Sequence, residues 1–528
     1  MTACREAAVT RRLPSIDRMS RTALLALAVV ATLALGACAP ETLVVSQRAD
    51  EIRTPSPQQP DDPTTTTPNT SAPTGPDDTA PVNEPLGEPD HDAIDFGADK
   101  PPRAYDQFLL AVVTDLEQWW AEQYPQVYGS DFDPLRGKVY AAYPTRPDDI
   151  PGCGSERTTY RDVQEYVAFY CGDGDFFVYD DGDDGLLRTL ARDYGAATIG
   201  TVFAHEFGHA VQLRFGAIDR GLPTITTEQQ ADCFAGAWAA RVAAGESALV
   251  QFSDGDVQAG LIAMTKVSDP VGLDQFVPGG HGTAFDRVGA FQVGFLEGLE
   301  RCAQLLDDPL PLMPNQLSVA EQENLGNAPF GYGEDELLNF IPRDLNLYWD
   351  AEQAAGVPGF SGLTLVGVQS ADDVACDDLR GDLATGAALC ASRGEVLIVE
   401  PVARELHGSL GDFAVGYLLA TAWSEAVQVS LGSDLTGEAR ALANDCLTGG
   451  WVQSVTPVIE DGFLVLPEPR HEERTATISA GDLDEAIQTV LLVADATIDD
   501  DVVGSSFEKI AALRAGVING TDSCLAQL

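Results

Sequence analysis

The sequence predicts an α+β protein in which helices carry the candidate site beside a small sheet. Three observations point there. Thr201 to Gln212 is apolar at helical spacing, which puts His205 and His209 on one helix face. Glu228 through Ala240 reads as a second helix, set off by the breakers Gly216, Gly221 and Pro223 and capped by Thr226 or Thr227. Val163 to Tyr170 and Phe176 to Tyr179 supply strands.

At 528 residues the chain is long enough for two or three domains, and 45% hydrophobic residues can bury a core. With 82 acidic against 31 basic side chains the formal charge is −51, which repels phosphate backbones and anionic headgroups and argues against nucleic-acid binding.

Residues 1–37 read as an export signal. Arg11, Arg12, Arg18 and Arg21 form a basic region, and Ala23 to Leu35 is an apolar run that small residues close. A membrane-spanning anchor is the competing reading, but the run is shorter than the ~18 to 20 residues a span needs. Leu35-Gly-Ala-Cys38 resembles a bacterial lipobox, which implies an acylated Cys38. The mature chain would then sit on the cell surface, tethered by lipid to the outer face of the cytoplasmic membrane. Residues 38–95, rich in Pro and Thr, read as a disordered stalk.

The chemistry concentrates in His205-Glu206-Phe-Gly-His209. Two imidazoles on one helix face can grip one zinc ion, and Glu206 at the edge of that face can take a proton from an attacking water. Glu228 and Asp232 share a face of the second helix. A carboxylate there would complete a His, His, Glu tripod and leave the fourth position open, while Asp232 would orient a ligand histidine. Cys233 lies about 140° around the helix from Glu228, which suits a disulfide better than a metal.

The segments Val202-Phe-Ala-His-Glu-Phe-Gly-His-Ala-Val-Gln212, Glu228-Gln-Gln-Ala-Asp-Cys-Phe-Ala-Gly-Ala-Trp238 and His281-Gly-Thr283, followed by Arg287 and Gly294, together resemble a family of bacterial neutral zinc metallopeptidases. Cys153-Gly154 and Phe169-Tyr170-Cys171 fit the same pattern, so the resemblance spans roughly residues 100–302. It implies a gluzincin-type zincin fold with Glu228 as third zinc ligand, and a peptide or protein substrate. Ala210 departs from the pattern, outside the tripod. His281 has two readings: a donor to the oxyanion of a tetrahedral intermediate, or part of a lead-in that caps a helix through Thr283.

The second half repeats the first. Val415 to Gly432 aligns without gaps on Ile199 to Gly216, and Asp445-Cys446, Gly449 and Trp451 match Asp232-Cys233, Gly236 and Trp238. Asp344-Leu345 with Trp349 likewise matches Asp115-Leu116 with Trp120. The metal positions do not survive: Thr421, Ala422, Glu425 and Ala441 stand opposite His205, Glu206, His209 and Glu228. With the ligand positions of the second half vacated, one zinc per chain is expected. These matches predict a catalytic domain over 96–330 and a degenerate copy over 331–528. The cysteines follow the same order, so corresponding bridges would be Cys153 with Cys171, Cys233 with Cys302, Cys376 with Cys390, and Cys446 with Cys524. The expected function is an exported zinc metallopeptidase with Glu206 as general base. The competing expectation is a non-catalytic surface lipoprotein whose zinc is structural and whose two copies bind a partner.

Overall fold

The first half of the chain lays helices on both faces of a mixed sheet. In the computed structural model the described residues are Val44–Ser46, 83–146, 150–154, 158–318, 321–350, 355–460, 463–465, 473–496 and 505–528. The expected signal, Cys38 and, Val44–Ser46 apart, the stalk as far as residue 82 lie outside them. Folded structure begins before residue 96. Asn83 donates to Asp256 at 2.9 Å, Leu86 N donates to Leu249 O at 2.9 Å, and Pro89 and Ile94 are buried.

In chain order the first half comprises β1 (Val44–Ser46), β2 (Ile94–Asp95), α1 (Asp106–Tyr128), β3 (Val139–Ala142), α2 (Tyr160–Tyr166), β4 (Ala168–Cys171), β5 (Phe176–Asp180), α3 (Leu186–Tyr194), α4 (Ala197–Phe215), α5 (Thr224–Ala243), α6 (Asp254–Lys266), α7 (Ala284–Glu297) and α8 (Leu299–Gln304). The sheet order is β1-β4-β5-β3-β2, with β4 antiparallel to both its neighbours and β5, β3 and β2 parallel. Strand alternation divides β5 between two cores. Phe177 and Tyr179 meet Phe203 of α4 at 5.1 and 4.9 Å between ring centres, while Phe176 and Val178 pack with Val163 and Cys171 on the other face.

Two local expectations are corrected. Val163 to Tyr170 is not one strand, because Thr159 and Asp162 form a reciprocal capping box that starts α2, and β4 begins only at Ala168. Between them Val167 adopts φ 65°, a conformation that costs a β-branched residue about 1–3 kcal/mol. Helix α5 starts at Thr224 with Pro223 as N-cap, ahead of the expected Thr226 or Thr227. Thr227 lies inside the first turn, its hydroxyl donating to Thr224 O at 2.7 Å. The ring of Pro223 fixes φ and removes an N–H, so the helix forms immediately after it.

The second half comprises α9 (Leu337–Trp349), β6 (Thr364–Val368), β7 (Leu379–Arg380), β8 (Ala387–Cys390), β9 (Glu395–Val399), α10 (Glu400–Ser409), α11 (Asp412–Leu431), α12 (Gly437–Val455), the hairpin β10 (Val458–Glu460) and β11 (Phe463–Val465), α13 (Asp482–Ala496), α14 (Ser506–Asn519) and α15 (Thr521–Leu525). Its sheet runs β6-β9-β8-β7, with β6 parallel to β9 and β8 antiparallel to it, as β3 and β4 stand to β5. Details recur with the order. Trp238 donates to Asp115 at 2.8 Å and Trp451 to Asp344 at 3.0 Å. A Cβ on Gly294 would lie 1.8 Å from Cys233 O, and one on Gly516 would lie 2.0 Å from Cys446 O, so glycine lets α7 close on α5 and α14 on α12.

The disulfides are Cys153–Cys171, Cys233–Cys302, Cys376–Cys390 and Cys446–Cys524, each within one half and in the pairs expected from the cysteine order. They point to an extracytoplasmic or secreted protein. Among the described residues no helix is long and apolar enough to cross a membrane. The described residues form one compact unit, and one apolar cluster runs through Phe285 and Phe291 of the first half and Phe507 and Ile510 of the second.

Candidate metal centre

Helix α4 is buried from Ala197 to Gln212, so a polar side chain on that stretch that lacks a partner inside the protein stands out. His205 and His209 project one turn apart and bring their Nε2 atoms to 3.1 Å. Helix α5 crosses beside them and presents Glu228, whose Oε2 lies 3.3 Å from His205 Nε2 and whose Oε1 lies 3.5 Å from His209 Nε2. Both Glu228 oxygens are buried without a well-directed hydrogen bond, although both imidazoles are within ion-pair distance. The separations describe this better than pairwise bonding does. Donors held about 2.1 Å from one tetrahedral ion sit about 3.4 Å apart, and these three match that spacing. His205, His209 and Glu228 can therefore hold one metal ion.

The outward nitrogens are fixed by the protein. His205 Nδ1 bonds Asp232 Oδ1 at 2.7 Å, as the helical spacing on α5 implied. His209 Nδ1 bonds Gln212 Oε1 at 2.9 Å, and Gln212 in turn donates to Thr227 O at 2.7 Å and Gln230 Oε1 at 3.1 Å. With each Nδ1 engaged, each Nε2 is directed at Glu228. Burial would lower the pKa of His205, but the carboxylates of Asp232 and Glu228 outweigh it and raise it to about 9. Glu228 is held well below the usual carboxylate range, its burial overcome by the nearby imidazoles of His209, His281 and His205.

Glu206 stands outside the trio. It is buried, its Oε2 has no partner among the described residues, and burial pushes its carboxyl up. It lines a small cleft with Tyr166, Val167, Ala168, Val202, His205, Met264, Val267, His281 and Arg287. The strained Val167 thus lies on the cleft wall. His281 also reaches the cleft. Its backbone N–H and that of Gly282 donate to Asp269 at 2.7 and 2.8 Å, while its unpartnered Nε2 lies 3.9 Å from Glu228 Oε2. Capping belongs to Thr283, whose hydroxyl accepts from Asp286 N.

Three contributors had no role assigned from sequence, although Arg287 and Gln212 stand within the quoted motifs. Arg287 binds Asp232 through Nε at 3.0 Å and NH2 at 2.7 Å, and donates to Val267 O at 2.6 Å. Gln212 could have been suspected, being three residues past His209 and recurring as Gln428. Asp269 carries no local signal, because it meets His281 only through the fold.

At the aligned place in the second half the chemistry is an internal ion pair. Glu425 accepts from Arg440 Nε at 2.7 Å and from Asn444 at 2.9 Å, and Thr421 turns back to Leu418 O. Asp445 accepts from Tyr417 and, at 2.9 Å, from Lys509. A separate cluster, Asp412, Asp482 and Glu485, brings three buried carboxylates together.

Fold and site define an α+β, disulfide-bonded protein with a buried, helix-borne trio of candidate metal ligands. No protein-family model matches the chain, and no solved structure matches it. It is similar to uncharacterized proteins of Mycobacterium bovis and of two strains of Mycobacterium tuberculosis, at 31% identity over 172 residues, covering 28% of this chain and 55% of each relative. The chain thus spans about half the length of the curated relatives it matches.

Proposed function

We propose that this chain is an exported, lipid-anchored zinc metallopeptidase of zincin type, with one working centre in residues 96–330, and that residues 331–528 are a degenerate copy of that unit. One observation carries the reading: the two Nε2 atoms and the Glu228 carboxylate converge on one point, while Glu206, with its Oε2 unpartnered, lines a cleft together with the ligand candidate His205. Zinc bound there would supply Lewis acidity, bringing the pKa of water from 15.7 toward ~7 and polarising a peptide carbonyl.

The chain's own residues supply the remaining chemistry. Glu206 accepts the proton of the attacking water at Oε2 and passes it to the departing amine, a transfer favoured by its raised pKa. Asp232 and Gln212 keep both imidazoles oriented. His281, with its Nε2 unpartnered on the cleft, donates to the carbonyl oxygen as negative charge builds there. Val202, Met264 and Val267 offer the substrate an apolar wall.

The structural-zinc scaffold is the weaker reading. A closed structural site takes four protein donors, whereas the converging group among the described residues has three and leaves His281 outside. Duplication is supported by the recurring element order, bridges, Trp–Asp bonds and glycine contacts. Anchoring through Cys38 rests on the Leu-Gly-Ala-Cys tetrad.

Glu206→Gln protein, incubated with a peptide library and analysed by mass spectrometry, should release no products while retaining its zinc. Turnover equal to that of the unaltered protein would refute the mechanism.

A further inference from the structure

We propose that the second half of the chain holds the metal centre in register through α7, with Asp484 and Arg514 as positioning residues. The proposal rests on the metal-centre reading above and adds to it a role for the second half.

Two buried charged side chains of the second half act on the first turn of α7. Asp484 Oδ1 accepts from Phe285 N at 2.9 Å, and the same carboxylate faces Ala284 N. With Thr283 accepting from Asp286 N at 3.1 Å, three amides that a helix start leaves unpaired are satisfied. Arg514 donates to Phe285 O and stacks on the Phe285 ring, 4.2 Å from its centre. Its guanidinium fills a notch at Gly289, where a Cβ would lie 1.9 Å from the guanidinium carbon. Farther along, Gln292 donates to Phe507 O at 2.8 Å and Phe295 packs on Phe507 at 4.8 Å. Thus α7 is gripped by α13 and α14 over most of its length.

What α7 presents to the centre is Arg287, two residues beyond Phe285. Arg287 holds Asp232 at 2.7 and 3.0 Å, and Asp232 holds His205 Nδ1 at 2.7 Å. His281 enters the cleft from the segment that leads directly into the same first turn. A displacement of that turn by about 1 Å would break directional bonds of this length. Register at α7 is therefore transmitted to the ligand imidazole through two consecutive contacts.

The test uses the full chain loaded with cobalt(II) in place of zinc. Three quantities are read: the cobalt d–d absorption spectrum, metal affinity by chelator competition, and the unfolding temperature. Asp484→Ala and Arg514→Met should bind metal at least about tenfold more weakly and alter the spectrum. Asp484→Asn, which keeps an acceptor oxygen for Phe285 N, should restore the unaltered spectrum. If the truncating variants do not fold, Gly289→Ala displaces Arg514 from the α7 side and should weaken binding in the same way. Unaltered affinity and spectrum in the folded variants, whatever happens to the unfolding temperature, would overturn the proposal. Failure of the unsubstituted chain to bind cobalt or zinc would instead refute the metal centre itself, and the positioning role with it.

Discussion

Arg287 and Asp232 form a two-pronged buried ion pair, Nε to Oδ2 at 3.0 Å and NH2 to Oδ1 at 2.7 Å. The pair has a counterpart in Lys509 and Asp445, which meet at 2.9 Å. Tyr417 bonds Asp445 where His205 bonds Asp232. A buried cation–carboxylate pair thus stands in both halves, while the histidines of the first half have no counterpart at the aligned positions of the second.

Removing the cation of this pair should be costly. Burial favours a neutral Asp232, yet Arg287 and His205 hold its pKa down. Arg287→Met would strand a buried carboxylate, an effect of about 3–5 kcal/mol, and would weaken metal binding about 10- to 100-fold. Urea unfolding and chelator competition measure the two effects. Stability within about 1 kcal/mol of the unaltered protein would show that the pair is not what holds Asp232 ionised.

The bridge Cys233–Cys302 follows directly on Asp232 in α5 and ties that helix to α8. Replacing both cysteines by alanine should cost about 2–4 kcal/mol and lower metal affinity. Replacing Cys376 and Cys390, which brace the sheet of the second half, should affect stability alone. Thermal unfolding combined with metal titration separates the cases. Equal loss of metal affinity in both would contradict the local role of the first bridge.

Metal analysis of the full chain should find one zinc, all of it lost in Glu228→Ala. At the aligned place in the second half Arg440 already supplies Glu425 with a cation, and Glu425→Gln should leave zinc content unchanged. A second equivalent of zinc that survives Glu228→Ala would disprove this. The carboxylate cluster is no substitute site for zinc, because an all-oxygen donor set suits harder cations.

That cluster should make stability depend on pH. Burial and the neighbouring Asp412 push Glu485 up to about 9, and Asp412 and Asp482 are also raised. Asp484 adds negative charge nearby, and His407 faces Asp412 with an opposing influence. A raised carboxyl pKa means that the folded state binds its proton more tightly than the unfolded chain does. The resulting stability is complete below the unfolded value of 4.5 and is lost as pH rises through about 9. Glu485→Gln should therefore gain on the unaltered protein from pH 5 to pH 9 in thermal unfolding. Parallel profiles would exclude the cluster as the cause.

Much of the site was legible because it lies within single helices. The 3.6-residue period alone places His205 with His209 and Glu228 with Asp232, and the cysteine order suggested the four bridges that form. Boundaries were harder to read. The capping box at Thr159 and the break at Val167 divide a segment whose composition alone suits a strand. Residues 83–95 join the fold through contacts to Leu249 and Asp256, which a Pro-rich composition does not reveal.

By itself the sequence determined the spacing of His205 with His209 and of Glu228 with Asp232, and the absence of histidine from the aligned positions Thr421 and Glu425, because each is a property of residue order alone. Only the tertiary structure decided that α5 delivers Glu228 to within 3.5 Å of both imidazoles, that Arg287 stands behind Asp232, and that Asp484 and Arg514 meet α7. Phe285 and Arg514 are separated by 229 residues along the chain. No local periodicity can bring such groups together, because their meeting is set by how the helices of both halves pack around one shared core.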